Sequence, residues 1–67
     1  MSIEAVKKAI SLLGNQAKLA KEISLSQSTI SKWTHGKRLP TGKNARAIEI
    51  ATGGRVTREE LRPDIFN

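Results

Sequence analysis

The sequence predicts a small all-α domain, and three observations carry that prediction. Apolar residues recur at spacings of three and four, capping residues stand just before each apolar stretch, and no segment shows sustained alternation of β-branched or aromatic residues. With 67 residues there is room for one domain, so residues 1–67 are read as a single compact bundle of four to five short helices. A chain this short buries only about 60% of its unfolded surface and lies near the margin of stability. It contains no cysteine, so neither a disulfide nor a thiolate metal site can staple it, and a reducing, cytoplasmic setting is the natural fit.

In the first element Ile3, Val6, Ile10 and Leu13 line one helical face, with Ser2 as cap and Gly14 as stop. Asn15 caps a second helix whose inner stripe is Leu19, Ala20 and Ile23, while Lys18, Lys21 and Glu22 face water. Ser26 caps the third, and Leu25 with Ile30 has the spacing of a hydrophobic staple; Ile30 and Trp33 point inward. Gly36 and Pro40 bracket a basic loop with Lys37 and Arg38, after which Thr41 opens a fourth helix that buries Ala45, Ile48 and Ala51 and closes at Gly53 and Gly54. Thr57 and Glu60 form a capping box and Val56 with Leu61 a second staple, for a last helix stopped by Pro63. The stretch Gly54 to Thr57 can also take up a brief extended conformation.

The net charge is +6, and its distribution is uneven. Residues 1–23 carry +2, residues 24–58 carry +6, and residues 59–67 carry −2. A surplus of this kind suits a polyanionic partner, although Lys and Arg also solubilise ordinary surfaces. The longest apolar runs are a few residues against the roughly 18–20 of a membrane-spanning helix. Met1 to Gly14 does not read as a signal peptide, because Glu4, Lys7, Lys8 and Ser11 interrupt it.

Residues 16–35, QAKLAKEISLSQSTISKWTH, turn composition into a motif. Two short helices joined by a three-residue turn cross steeply, and Leu19, Ala20, Ile23, Leu25, Ile30 and Trp33 occupy the inward positions that keep the crossing packed. Ala20 lets the helices approach, and Leu25 plugs the corner. The pattern resembles the helix-turn-helix of phage repressors; an ordinary helical hairpin is the alternative. That family usually has Gly where Ser24 stands, since the residue tends to be left-handed, and Ser there costs about 1–2 kcal/mol.

With Ile30 and Trp33 inward, the opposite face of the third helix shows Gln27, Ser28, Ser31 and Lys32, with Thr29 to one side. Amides and hydroxyls suit the donors and acceptors of a major groove, whereas carboxylates would be repelled by phosphate, and this face has none. The base-contact candidates are therefore Gln27, Ser28, Ser31 and Lys32. The backbone-contact candidates are Asn15, Gln16, Lys18, Thr29, Lys37, Arg38 and Lys43, with Lys21 a further cation nearby; Asn15 and Gln16 open a helix, where free N–H groups favour an anion. The resemblance to lambda-repressor-like domains further implies that Gln16 and Gln27 work as a pair, the first bracing the second, and that Gln27 contacts adenine.

No catalytic constellation, metal site or cofactor motif is visible: His35 is the only histidine, best read as a helix C-terminal residue, and Gly53 and Gly54 lack the context of a phosphate loop. The chain is not expected to be an enzyme. After a helix containing AIEIA, the stretch ATGGRVTREELRPDIF resembles the ending of small Cro-type phage and prophage repressors and of related YdaS-type proteins. The resemblance implies a lambda-repressor-like fold and a cytoplasmic bacterial repressor that occupies a palindromic operator. One recognition helix covers only about 4–5 base pairs, so a weak homodimer tightening on double-stranded DNA is expected. The alternative is an antitoxin-type module that neutralises a toxin protein, for which Ile65 and Phe66 in the locally acidic tail are the contact candidates unless they fold back on the core.

Overall fold

The computed structural model describes residues 3–66. They form five helices: α1 (Ile3–Leu13), α2 (Gln16–Ile23), α3 (Gln27–Thr34), α4 (Gly42–Ala51) and α5 (Arg58–Leu61). No strand occurs among the described residues, and residues 54–57 are a turn. The expected cap Ser2 lies outside them. A radius of gyration of 10.2 Å, against roughly 11 Å for a compact chain of this length, places all five helices around one core. The central element is α2, which packs on α1, α3 and α4, while α5 closes the bundle against α1 and α4.

The predicted caps form. Asn15 Oδ1 accepts from Lys18 N–H at 2.9 Å, Ser26 Oγ from Thr29 N–H at 3.4 Å, and Thr41 Oγ1 from Asn44 N–H at 3.2 Å. Thr57 and Glu60 make the reciprocal pair, each side chain accepting from the other's backbone N–H at 3.1 Å. This cap lets a helix of only four residues persist, because it satisfies two otherwise orphaned donors.

The core consists of Ala5, Val6, Ala9, Leu19, Ala20, Ile30, Trp33, Ala45, Ile48, Val56 and Leu61, with Ile10, Leu13, Ile23, Leu25 and Phe66 packed around it. Two expectations need correction. On α1 the deepest residues are Ala5, Val6 and Ala9, whereas Ile3 is 38% exposed. Small side chains let α1 approach its neighbours closely, and the larger Ile10 and Leu13 fill the flanks; Ile3 instead reaches over Gly36, its Cδ1 3.2 Å from where a Cβ would stand. On α4, Ala51 is only half-buried, and the buried residue at that end is Thr52. Its hydroxyl donates to the Ile48 carbonyl at 2.9 Å and accepts from Val56 N–H at 3.1 Å. One side chain thus closes α4 and fixes the turn that delivers Val56 to the core.

Three helices end in the same way. Past α2, Ser24 N–H donates to the Lys21 carbonyl and Leu25 N–H to the Ala20 carbonyl; past α3, Gly36 and Lys37 donate to Trp33 and Lys32; past α4, Gly53 and Gly54 donate to Ile50 and Glu49. Each reversal needs one left-handed residue, and Gly36 and Gly53 supply it at φ +72° and +64°. At α2 the same position is Ser24, at φ 60° and ψ 43°, as the sequence leads one to expect.

The tail folds back. Phe66 lies between the guanidinium groups of Arg46 and Arg58, each 5.3 Å from its ring centroid. Ile65, by contrast, remains 48% exposed. Between them and α5, Arg62 binds the Asp64 carboxylate in a two-pronged contact, at 2.9 and 2.6 Å. This hydrogen bonding holds the Asp64 carboxyl below the ordinary carboxylate range.

Three outcomes follow. Ser24→Gly should stabilise the fold by about 0.5–1 kcal/mol in urea unfolding, the relieved strain less the entropy that glycine adds to the unfolded chain. Thr52→Val should destabilise it by about 1–3 kcal/mol, because the buried Val56 N–H loses its acceptor. A carboxyl whose folded pKa is depressed stabilises the fold fully above its unfolded value, about 3.9, and ceases to do so as pH falls through the lower folded value. Unfolding followed from pH 7 downward should therefore lose stability in that acid window, and Asp64→Asn should remove this part of the dependence.

Candidate nucleic-acid interface

The turn between Ile23 and Gln27 determines where the third helix points. Left-handed Ser24 reverses the chain, half-buried Leu25 packs against the core, and Ser26 restarts the helix. Ile30 and Trp33, both buried, then hold one side of α3 against the bundle. Gln27, Ser28 and Lys32 are exposed on the other side, and Thr29 and Ser31 are half-buried at its margins.

Hydroxyl groups on this face are already oriented. Ser26 Oγ lies 3.1 Å from both Ser28 Oγ and Thr29 Oγ1, so the cap gathers three hydroxyls at the start of the helix. At the other end His35 follows the last turn as expected: its Nδ1 lies 2.8 Å from the Ser31 carbonyl oxygen. A carbonyl can only accept, so Nδ1–H is the donor. The Thr34 hydroxyl donates to the same oxygen at 2.8 Å. Both side chains thus join the His35 backbone N–H, at 3.0 Å, on the single Ser31 carbonyl.

The flanking residues fall on two sides of α3. Asn15, Gln16 and Lys18 stand at the start of α2, with the Lys18 stem lying against Gly14. Lys37 and Arg38 are exposed in the loop that follows α3, and Lys43 is exposed in the first turn of α4. Among the described residues, no hydrogen bond joins Gln16 to Gln27. Gln16 is half-buried and lines an open groove of about 470 Å³ with Lys7, Ile10, Thr34 and His35. That is the C-terminal end of α3, roughly 10 Å along the helix from Gln27.

Part of the charge is engaged within the domain. Arg58 pairs with Glu49 and Glu59, each at 3.7 Å, and Arg62 with Asp64 at 2.6 Å. Arg46 is stacked on Phe66. Glu4 on α1 and Glu22 on α2 are exposed and lie outside these pairs. Lys32, Lys37, Arg38 and Lys43 form no ion pair among the described residues, and all four are exposed. The α3 side thus presents unpaired cations around a face of amide and hydroxyl groups, an arrangement able to neutralise phosphates while offering donors and acceptors to base edges. Among the described residues there is no cluster of three or more His, Cys, Asp or Glu able to hold a metal ion, and no helix is long and apolar enough to cross a membrane.

Comparison with known proteins agrees with the YdaS-type part of the resemblance seen in the C-terminal third. A family model described as bacterial toxin YdaS matches residues 6–67. A protein of Escherichia coli (strain K12) named "Putative transcriptional regulator YdaS" is 39% identical over 59 residues, which cover 88% of this chain and 60% of that protein. The chain therefore spans about 60% of the length of this curated relative. No solved structure matches. With the family match running from the first turns of α1 to the tail, the chain belongs to the YdaS family.

Proposed function

We propose that this chain is a sequence-specific double-stranded DNA-binding transcriptional regulator, acting as a Cro-like repressor rather than as an enzyme. The observation that carries this reading is the carboxylate-free face of α3, with the exposed cations Lys32, Lys37, Arg38 and Lys43 on and beside it forming no ion pair among the described residues. The relative named as a transcriptional regulator supports it. In this reading α3 enters the major groove. Gln27, exposed at its first turn, makes a bidentate contact to adenine; Ser28, Ser31 and Lys32 make secondary base contacts. Asn15, Gln16, Lys18, Thr29, Lys37, Arg38 and Lys43 bind backbone phosphates on either side. Because one helix reads too few base pairs to define a site, two copies bind a palindrome with half-sites about one helical turn apart, as a weak dimer that tightens on DNA.

A second reading has its own support. The matched family is described as a toxin, and Ile65 remains half exposed beside acidic residues. An interaction module of a toxin–antitoxin pair would use that tail on a protein partner and could still regulate its own operon.

Footprinting on the DNA flanking its gene, at several salt concentrations, separates the two. Protection of two half-sites is expected. Gln27→Ala should reduce discrimination by about 1–3 kcal/mol at one base position. Lys37→Ala should weaken all sequences alike and lower the slope of log affinity against log salt by about 0.9. Absence of protection at low salt, with tight binding to the product of a neighbouring gene, would favour the interaction module.

A further inference from the structure

Among the arginines that are engaged within the domain, Arg62 is held by the most directional contacts. Arg62 follows the fully buried Leu61, and its side chain is only 17% exposed. Its two-pronged contact with Asp64 fixes the plane of the guanidinium, since Nε and Nη2 each donate to a different carboxylate oxygen. The remaining nitrogen, Nη1, is then aimed at the Pro40 carbonyl and donates to it at 2.7 Å, across 22 positions of sequence. The main chain of Arg62 is anchored as well, its carbonyl accepting from Ile65 and Phe66 N–H at 3.0 and 2.9 Å.

Pro40 ends the loop that carries Lys37 and Arg38. At the α3 end of that loop, both Lys37 N–H and Arg38 N–H donate to the Lys32 carbonyl, at 2.9 and 3.3 Å. At the other end the Pro40 ring is buried, and having no N–H it offers the backbone only a carbonyl. Arg62 takes that carbonyl. From these contacts we infer that Arg62 is a positioning residue: braced by Asp64, it holds the Gly36–Pro40 loop so that Lys37 and Arg38 reach the DNA backbone together. The inference rests on the DNA-binding reading and adds to it a residue that touches no DNA.

Charge counting and positioning give opposite signs for one substitution. Removing the Asp64 carboxylate makes the chain more positive, which by Coulomb attraction alone strengthens binding to DNA. If Asp64 braces Arg62, the same change weakens it. The test uses the whole chain and a mixed-sequence duplex about three helical turns long. Affinity is measured against salt for wild type, Asp64→Ala, Arg62→Lys and the double variant Lys37→Ala/Arg38→Ala, with helicity checked by circular dichroism. Arg62→Lys keeps the charge but cannot form the fork. Heteronuclear NOEs of Lys37, Arg38 and Leu39 are recorded in parallel without DNA.

Asp64→Ala and Arg62→Lys should each lower the salt slope by up to about 1.8, the value for two phosphates at about 0.9 each. Neither should lower it further in the Lys37→Ala/Arg38→Ala background, and both should reduce the loop NOEs. Tighter binding by Asp64→Ala with an unchanged slope would overturn the inference, as would losses that add to those of the double variant. If either variant unfolds, the other decides. A wild type that binds no duplex would overturn the functional reading, and this inference with it. Wild-type binding with unaffected variants would overturn the inference alone.

Discussion

The left-handed turn at Ser24 is the constraint on which the candidate interface depends. The angle at which α3 leaves α2, and hence which of its faces is buried, is fixed where Ser24 and Leu25 close back on Lys21 and Ala20. Ala20 is buried where α2 meets its neighbours, and a larger side chain there would separate the helices. The polar face of α3 is outward because Ile30 and Trp33 are held inward. A serine at φ 60° is an unusual way to make this turn, given that glycines serve the equivalent positions after α3 and α4. The cooperative packing of Leu19, Leu25 and Ile30 outweighs the local strain.

A second division, of charge, is laid over this geometry. Arg58 and Arg62 engage Glu49, Glu59 and Asp64, and Arg46 stacks on Phe66, whereas Lys32, Lys37, Arg38 and Lys43 on and beside α3 form no ion pair among the described residues. Individually these exposed contacts add little to stability. The cations beside α3 that stay outside such contacts attract a polyanion approaching that side. The segment after α5 is tied to the interface by the bond from Arg62 to Pro40.

Much of this was legible in the sequence, and the part that was not shares a physical cause. Asn15, Ser26, Thr41 and Thr57 were readable as caps because capping is a contact between residues two or three apart. The buried faces of α2 and α3 were readable because few apolar positions compete there. On α1 apolar residues lie on several sides, so the spacing of Ile3, Val6, Ile10 and Leu13 was as regular as that of Ala5, Val6 and Ala9, and only tertiary packing chose between them. Thr52 was overlooked as a polar residue at a helix end, although a threonine hydroxyl able to reach the carbonyl four residues back carries a signal for such a role. The Arg62–Pro40 clamp depends on elements distant in sequence, which local rules do not see.

The most direct test of the account is a nuclear magnetic resonance titration of the labelled chain with a duplex from the DNA flanking its gene. The account predicts amide shifts concentrated at the start of α2, along α3 from Gln27 to Lys32 and in the loop from Lys37 to Lys43, with α5 and Glu59 little affected. Shifts confined to the α5 and tail side, or none at low salt, would contradict it.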